Sequence, residues 1–247
     1  AVICSRGGLD ESYPPTRSPF MKIAFTGLSL PEGKVKYNDR ILADLEEKFK
    51  PDKVSPFYFE LLPDGYEAAE GIAIATGHIL DVLILDIDKI EGRLPVAEDV
   101  AEKAVLEKCL AQLEGEKPVC DLDLDEAEQG IINAFGLLSY KPMVVFENEA
   151  VTTDTVCESV MEKAEGMFFY TAGKKEVRSW FTEKNSDAVT CAGKIHTDLA
   201  RGFIKAEIVP HEDLMKAHSF KDAASQGFTQ LVDKDCLLYT SPSPRDS

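Results

Sequence analysis

Residues 170–180 read Tyr-Thr-Ala-Gly-Lys-Lys-Glu-Val-Arg-Ser-Trp, and residues 192–209 read Ala-Gly-Lys-Ile-His-Thr-Asp-Leu-Ala-Arg-Gly-Phe-Ile-Lys-Ala-Glu-Ile-Val. Met167 to Thr171 and Val177 to Thr182 are short, apolar and β-rich, and Ala172-Gly173-Lys174-Lys175 between them has the composition of a hairpin turn. A helix is predicted over Ala188 to Leu199. Gly202 breaks it, and Phe203 to Val209 then alternates as a strand does. Glu212 to Ser225 reads as helix again. A hairpin, a crossing helix and further strands give a β-grasp-like, ubiquitin-like organisation.

Upstream, Ile41, Leu42, Leu45 and Phe49 recur at helical spacing, with Asn38 or Asp39 as cap and Pro51 as stop. Val54 to Leu62 is aromatic and predicts one strand, and residues 71–77 a second, short one. Ile79 to Leu94 predicts a helix with Leu80, Leu83, Ile84, Ile87, Ile90 and Leu94 on one face, ended by Pro95. Glu98 to Gly115 repeats the pattern with Ala101, Val105 or Leu106, Leu110 and Leu113. The short connection implies an antiparallel helical hairpin over about 79–115. A third helix, Asp125 to Phe135, opens with Asp125 and Glu128 at capping-box spacing. Pro142 to Phe146 predicts a strand, and Thr153 to Glu165 a helix closed by Gly166.

The chain has 247 residues, 44% apolar and 29% charged, with 27 Lys+Arg against 44 Asp+Glu for a net −17. That total disfavours nucleic acid, because phosphate contacts need clustered cations. Its distribution says otherwise: residues 167–236 hold ten of each sign, whereas residues 21–166 hold 14 basic and 31 acidic. No apolar run is long enough to span a bilayer, so no membrane partner is expected. The six cysteines (4, 109, 120, 157, 191, 236) form no Cys-x-x-Cys pair. Neither a metal site nor a disulfide scaffold is expected, and a reducing, cytoplasmic setting suits them. Residues 1–20 have linker composition and read as a non-native or disordered leader before Met21. Residues 237–247 read as a non-native tail.

The quoted segments resemble the C-terminal TGS-like domain of the YchF/Obg-like ATPase family, over about the last 70 native residues. Residues 38–51 resemble the family's segment after its first switch. Residues 79–94 and 105–124 resemble its helical-hairpin insert, and residues 137–148 the strand before its base-recognition motif. The resemblance implies an α/β (α+β overall) chain. It consists of a reduced, degenerate P-loop-type core over residues 21–166 with the helical hairpin inserted, then a TGS-like β-grasp domain over 167–236. It also implies ribosome or RNA contacts through that last domain.

The same family would carry Gly-x-x-x-x-Gly-Lys-[Ser/Thr] after its first strand, where backbone N–H groups and a helix N-terminus hold the phosphates. Here Gly27, Gly33 and Lys34 stand one residue out of register. Val35 has no hydroxyl for magnesium, Glu32 adds a negative charge, and no helix begins directly behind the loop. No Asp-x-x-Gly occurs anywhere, and Asn148 is followed by Glu149-Ala150-Val151. Gly27, Gly33 and Lys34 are therefore expected to be a vestigial anion site or an ordinary turn. No catalytic residue, metal or nucleotide cofactor is expected, and a divergent ATP- or GTP-binding NTPase is the alternative. His196 and Asp198 flank Thr197, and the expected role of His196 is to pack or cap. Lys174, Lys175, Arg178, Lys194, Arg201 and Lys205 are the candidate RNA- or partner-binding cations, with Phe169, Tyr170 and Trp180 available for base stacking. The acidic hairpin is a candidate protein-binding arm, and a protein adaptor without RNA binding is the third reading.

Overall fold

The computed structural model describes residues 2–4, 20–234, 236 and 237. In chain order the elements begin with β1 (Val2–Cys4), β2 (Phe20–Thr26), β3 (Gly33–Lys36), α1 (Arg40–Phe49), β4 (Lys53–Ser55), β5 (Tyr58–Pro63) and β6 (Gly71–Ala75). The helical stretch follows with α2 (Ile79–Arg93), α3 (Val100–Glu114) and α4 (Glu126–Asn133), then β7 (Met143–Phe146) and α5 (Thr153–Lys163). The last part comprises β8 (Gly166–Ala172), β9 (Glu176–Glu183), α6 (Ala188–Ile195), α7 (Thr197–Arg201), β10 (Ala206–Val209), α8 (His211–Lys216), α9 (Phe220–Ser225) and β11 (Gln230–Val232). These elements fall into two units, each assembled from separate stretches: residues 21–35 and 59–164, and residues 1–20, 36–58 and 165–247.

The first unit holds a five-stranded sheet in the order β3-β5-β2-β6-β7, with β2, β6 and β7 parallel. β6 (Gly-Ile-Ala-Ile-Ala) is buried at every position, as a strand covered on both faces must be. Its small residues allow close approach, and a Cβ at Gly71 would sit 2.4 Å from a Val160 methyl of α5. Ala24, Ile72, Ile74, Val82, Leu138 and Met143 form the core beside the sheet. The helices α2, α3 and α4 bury a second core, including Leu83, Ile90, Leu106, Cys109, Leu113 and Ile132. The capping box at α4 is present as expected, the Asp125 carboxylate accepting from the Glu128 N–H and the Glu128 carboxylate from the Asp125 N–H, both at 2.9 Å. The expected inner face of α2 is rotated. Leu80 and Ile84 are 51% and 55% exposed, while Ile79, Val82, Leu83, Asp86 and Ile90 are the buried positions. A polar residue, Asp86, sits in the buried stripe, so a count of apolar residues alone chose the wrong side.

The second unit holds a six-stranded sheet in the order β11-β10-β1-β8-β9-β4. β8 and β9 form the expected hairpin, antiparallel from Gly166↔Glu183 to Ala172↔Val177. One side of this sheet contributes Tyr170, Val177 and Val209 to a core with Leu42 and Leu45 of α1 and Leu214 of α8. The other contributes Met167, Phe169, Ile208 and Val232 to a core with Ala188 and Cys191 of α6.

Several expectations are corrected. The division at residues 166 and 167 does not match the units: α1 and β4 lie in the second one, because Leu42 and Leu45 find their cover against Tyr170 and Val177. The strand expected over 54–62 is two strands separated at Pro56, which has no N–H for a ladder. The helix expected over 188–199 is two, α6 and α7, meeting at the extended His196 (φ −163°). That expected over 212–225 is likewise two, α8 and α9, with Ser219 capping the second. Within the residues read as a non-native or disordered leader, Val2–Cys4 is a β-prone run that forms β1. Residues 5–19 of the leader and 238–247 of the tail lie outside the described residues, while Leu237 makes an antiparallel bridge with Asp187.

Candidate nucleic-acid interface

The loop after β2 carries the residues that would face a phosphate. Gly27 has φ +70°, and a Cβ there would meet the His78 ring at 2.3 Å and the Ala75 methyl at 2.9 Å. The Ser29 N–H, which a phosphate cradle would aim at its anion, donates to the Glu149 carbonyl at 3.1 Å. Gly33 (φ +97°) opens β3, and Lys34 is exposed on that strand at the sheet edge. Thr26 donates to the Asp64 carboxylate at 2.6 Å and is bonded to the Tyr66 hydroxyl, and His78 Nδ1 lies 2.9 Å from Asp81. Burial, reinforced by the Asp64 and Asp81 carboxylates, pushes the Tyr66 phenol above its ordinary range. Around this loop the glycine is packed against an imidazole, a loop N–H is already bonded, and Asp64 and Asp81 are neighbouring negative charges. The lysine sits on a strand, and the chain runs from the loop into β3 and not directly into a helix.

The sheet of the second unit brings together what the sequence separates. Thr171 and Ile208 both register with Ile3 of β1, so the start of β10 lies at the same end of the sheet as the β8–β9 turn. Lys174 and Lys175 are exposed in that turn, and Lys205 is exposed just before β10. β4 begins at this end too. Lys53 registers with Glu176, and the Asp52 and Lys53 N–H groups donate to the Lys174 and Lys175 carbonyls at 3.0 and 3.1 Å. β11 leaves at this end towards Asp233 and Lys234, since Val232 registers with Ala206. Lys50, Lys53, Lys174, Lys175, Lys205 and Lys234 therefore share one end of the sheet, against Asp52, Glu176 and Asp233. Glu176 is already engaged by Ser55 at 2.5 Å and Lys53 at 3.2 Å. Burial raises its carboxyl, but these two partners outweigh that and hold it below its ordinary value.

Arg178 lies one step in from the turn, opposite Ser55 and Thr171. Its guanidinium sits 4.1 Å from the Trp180 ring centroid, a cation–π contact that orders it. Burial pulls its pKa below the ordinary arginine value, but an arginine at neutral pH stays charged. Trp180 also stacks near-parallel on Phe169 (6.2 Å, 10°) and donates Nε1–H to the Thr171 hydroxyl at 3.0 Å. Phe169 and Tyr170 are buried, and the half-buried Trp180 packs against the core with Phe169, the core role that suits the tryptophan of so small a domain. Arg201 is 3.7 Å from Asp198, Lys205 is 3.9 Å from Asp233, and Lys194 lies in the last turn of α6. His196 caps α7, its Nδ1 accepting from the Asp198 N–H at 3.1 Å. Lys50, Lys53 and Lys234 were not legible as site residues, because only the strand order puts them beside the turn. Among the described residues no His/Cys/Asp/Glu group is arranged to hold a metal, and no helix is long and apolar enough to cross a membrane.

Residues 167–240 match the YchF-GTPase C-terminal family, described as a protein of unknown function (DUF933). Across 225 residues the chain is 26% identical to the ribosome-binding ATPase YchF of Bacillus subtilis, covering 64% of this chain and 62% of the relative. Across 123 residues it is 32% identical to the protein of that name from Mycoplasma genitalium, covering 50% and 30%. The chain thus spans less than two thirds of the length of these relatives. The solved YchF GTPase of Schizosaccharomyces pombe shares the fold, with a TM-score of 0.71 at 16% identity over 89% of this chain and 96% of that one.

Proposed function

We propose that this chain, which belongs to the YchF/Obg-like group by sequence and fold, is a non-catalytic RNA-binding member acting on the ribosome or a translation component. The observation that supports the reading is the convergence of Lys50, Lys53, Lys174, Lys175, Lys205 and Lys234 on one end of the second sheet. That unit carries 18 Lys+Arg against 19 Asp+Glu, whereas the first carries 9 against 25. The near-neutral balance of the former leaves its local lysine cluster free to meet a phosphodiester backbone, whereas the latter repels one. The YchF relatives are named as ribosome-binding proteins, which agrees with this choice of partner. Neither ATP nor GTP is assigned as a cofactor, because the loop around Gly27, Gly33 and Lys34 does not fit a triphosphate. Phosphoryl transfer depends on positioning and electrostatics that this loop lacks. The acidic helices α2 and α3 serve in this reading as a protein-facing arm, and the setting is cytoplasmic.

The test is a pair of titrations on the full chain. Labelled single-stranded and ribosomal RNA should bind, and Lys53→Glu with Lys174→Glu and Lys175→Glu should weaken binding at least about tenfold. Binding unmoved by the reversals would overturn the interface and favour a protein adaptor. Micromolar, magnesium-dependent ATP or GTP binding that Lys34→Ala removes would overturn the non-catalytic reading.

A further inference from the structure

β1 is three residues long, yet it occupies the middle of the six-stranded sheet. It runs parallel to β8, with Val2↔Tyr170 and Ile3↔Thr171, and antiparallel to β10, with Val2↔Val209, Ile3↔Ile208 and Cys4↔Glu207. β8 and β10 are not neighbours in the sheet, so among the described residues the halves β4-β9-β8 and β10-β11 are joined in it through β1. Strands separated by one other stand about 9.6 Å apart, too far for direct pairing. The gap that β1 fills thus presents main-chain donors and acceptors on both walls. It fixes the direction of any occupant, because the ladder is parallel on one side and antiparallel on the other.

The walls also state what side chains suit it. Position 2 lies between Tyr170 and Val209, both buried, and position 3 between Thr171 and Ile208, the latter buried as well. A charged or proline-containing strand fits neither the apolar walls nor the two-sided ladder. β1 is joined to β2 only through residues 5–19, where Gly7, Gly8, Pro14, Pro15 and Pro19 give linker composition. Its pairing therefore depends on the slot rather than on a hairpin turn to a neighbour.

We propose that the gap between β8 and β10 is a strand-acceptor site. It takes an extended, uncharged, apolar segment by main-chain pairing, is filled by Val2–Cys4 of the same chain, and accepts that segment equally when supplied from outside. The test uses the full chain carrying Ile3→Pro, which removes an N–H from the ladder. Backbone hydrogen exchange over residues 169–172 and 206–209 should accelerate at least tenfold, with residues 71–75 of the other sheet unchanged. A synthetic peptide of residues 1–9 should restore protection, and the same peptide with Ile3→Pro should not. Protection unchanged in the variant, or lost without rescue by the peptide, would overturn the proposal. Should the variant fail to fold, refolding with the peptide decides: recovery of the native circular dichroism spectrum supports the acceptor site, and its absence refutes it.

Discussion

Burial pushes the thiols of Cys109 and Cys191 up to about 11 and that of Cys157 up to about 12, from an ordinary value of 9.0. In the unfolded chain they ionise near 9.0, so between there and about 12 the folded form holds more protons. The stability tied to these thiols is therefore whole below pH 9 and drains away as the pH climbs through that window. Thermal melts should show Tm falling between pH 8 and pH 10.5, and Cys157→Val should flatten part of that fall. At neutral pH, Ellman's reagent should titrate the exposed Cys236 promptly and leave Cys109, Cys157 and Cys191 untouched until the chain unfolds. A cysteine's environment is invisible in a sequence. The Asp125/Glu128 cap was readable there, because both partners lie within four residues and the bonds are local.

At the scale of elements, Asp86 is the joint between α2 and the turn that leads into β7. Its carboxylate is fully buried and accepts from the Leu138 N–H at 2.8 Å, the Ser139 N–H at 2.7 Å and the Ser139 hydroxyl at 2.6 Å. Asp86→Ala strands three buried donors and should cost about 3 kcal/mol, read as a lower urea midpoint. Asp86→Asn keeps one acceptor oxygen and should cost less. This joint explains why the inner face of α2 was misread: an acid in a helix looks solvated until its partners, 52 and 53 residues away, are known. Helices and parallel strands with strong periodicity were legible almost to the residue. The three-residue strands β1 and β11 were not, and β4 was read only as the start of a longer strand, since such short pieces exist only because neighbours pair with them.

For the whole molecule, the partition of charge governs how it meets a polyanion. With about four phosphate contacts at the basic sheet end, log Kd for single-stranded RNA should rise with log salt at a slope of about 2.8, or about 0.7 per contact. Replacing Lys174 and Lys175 by Ala should lower that slope by about 1.4, whereas Lys34→Ala should leave it unchanged. Fluorescence anisotropy from 50 to 400 mM salt measures both. The neutral C-terminal third was plain in the sequence, and so was the hairpin that carries two of the six lysines of the patch. Strand order was not, and it is strand order that adds Lys50 and Lys53 to the patch.

The assignment of residues 36–58 to the second unit has a consequence for anyone dividing the gene. A cassette cut at residue 167, the boundary that the family match suggests, leaves behind α1 and β4. Leu42 and Leu45 then no longer cover Tyr170 and Val177, and the turn bearing Lys174 and Lys175 loses its backbone partners at Asp52 and Lys53. Such a fragment carries most of the cations and the whole stretch that matches the YchF-GTPase C-terminal family, but only part of the fold that aims them. Transplanting the basic sheet end into another protein requires three pieces of this chain spliced together, and a single excision is expected to yield an insoluble or unstructured product.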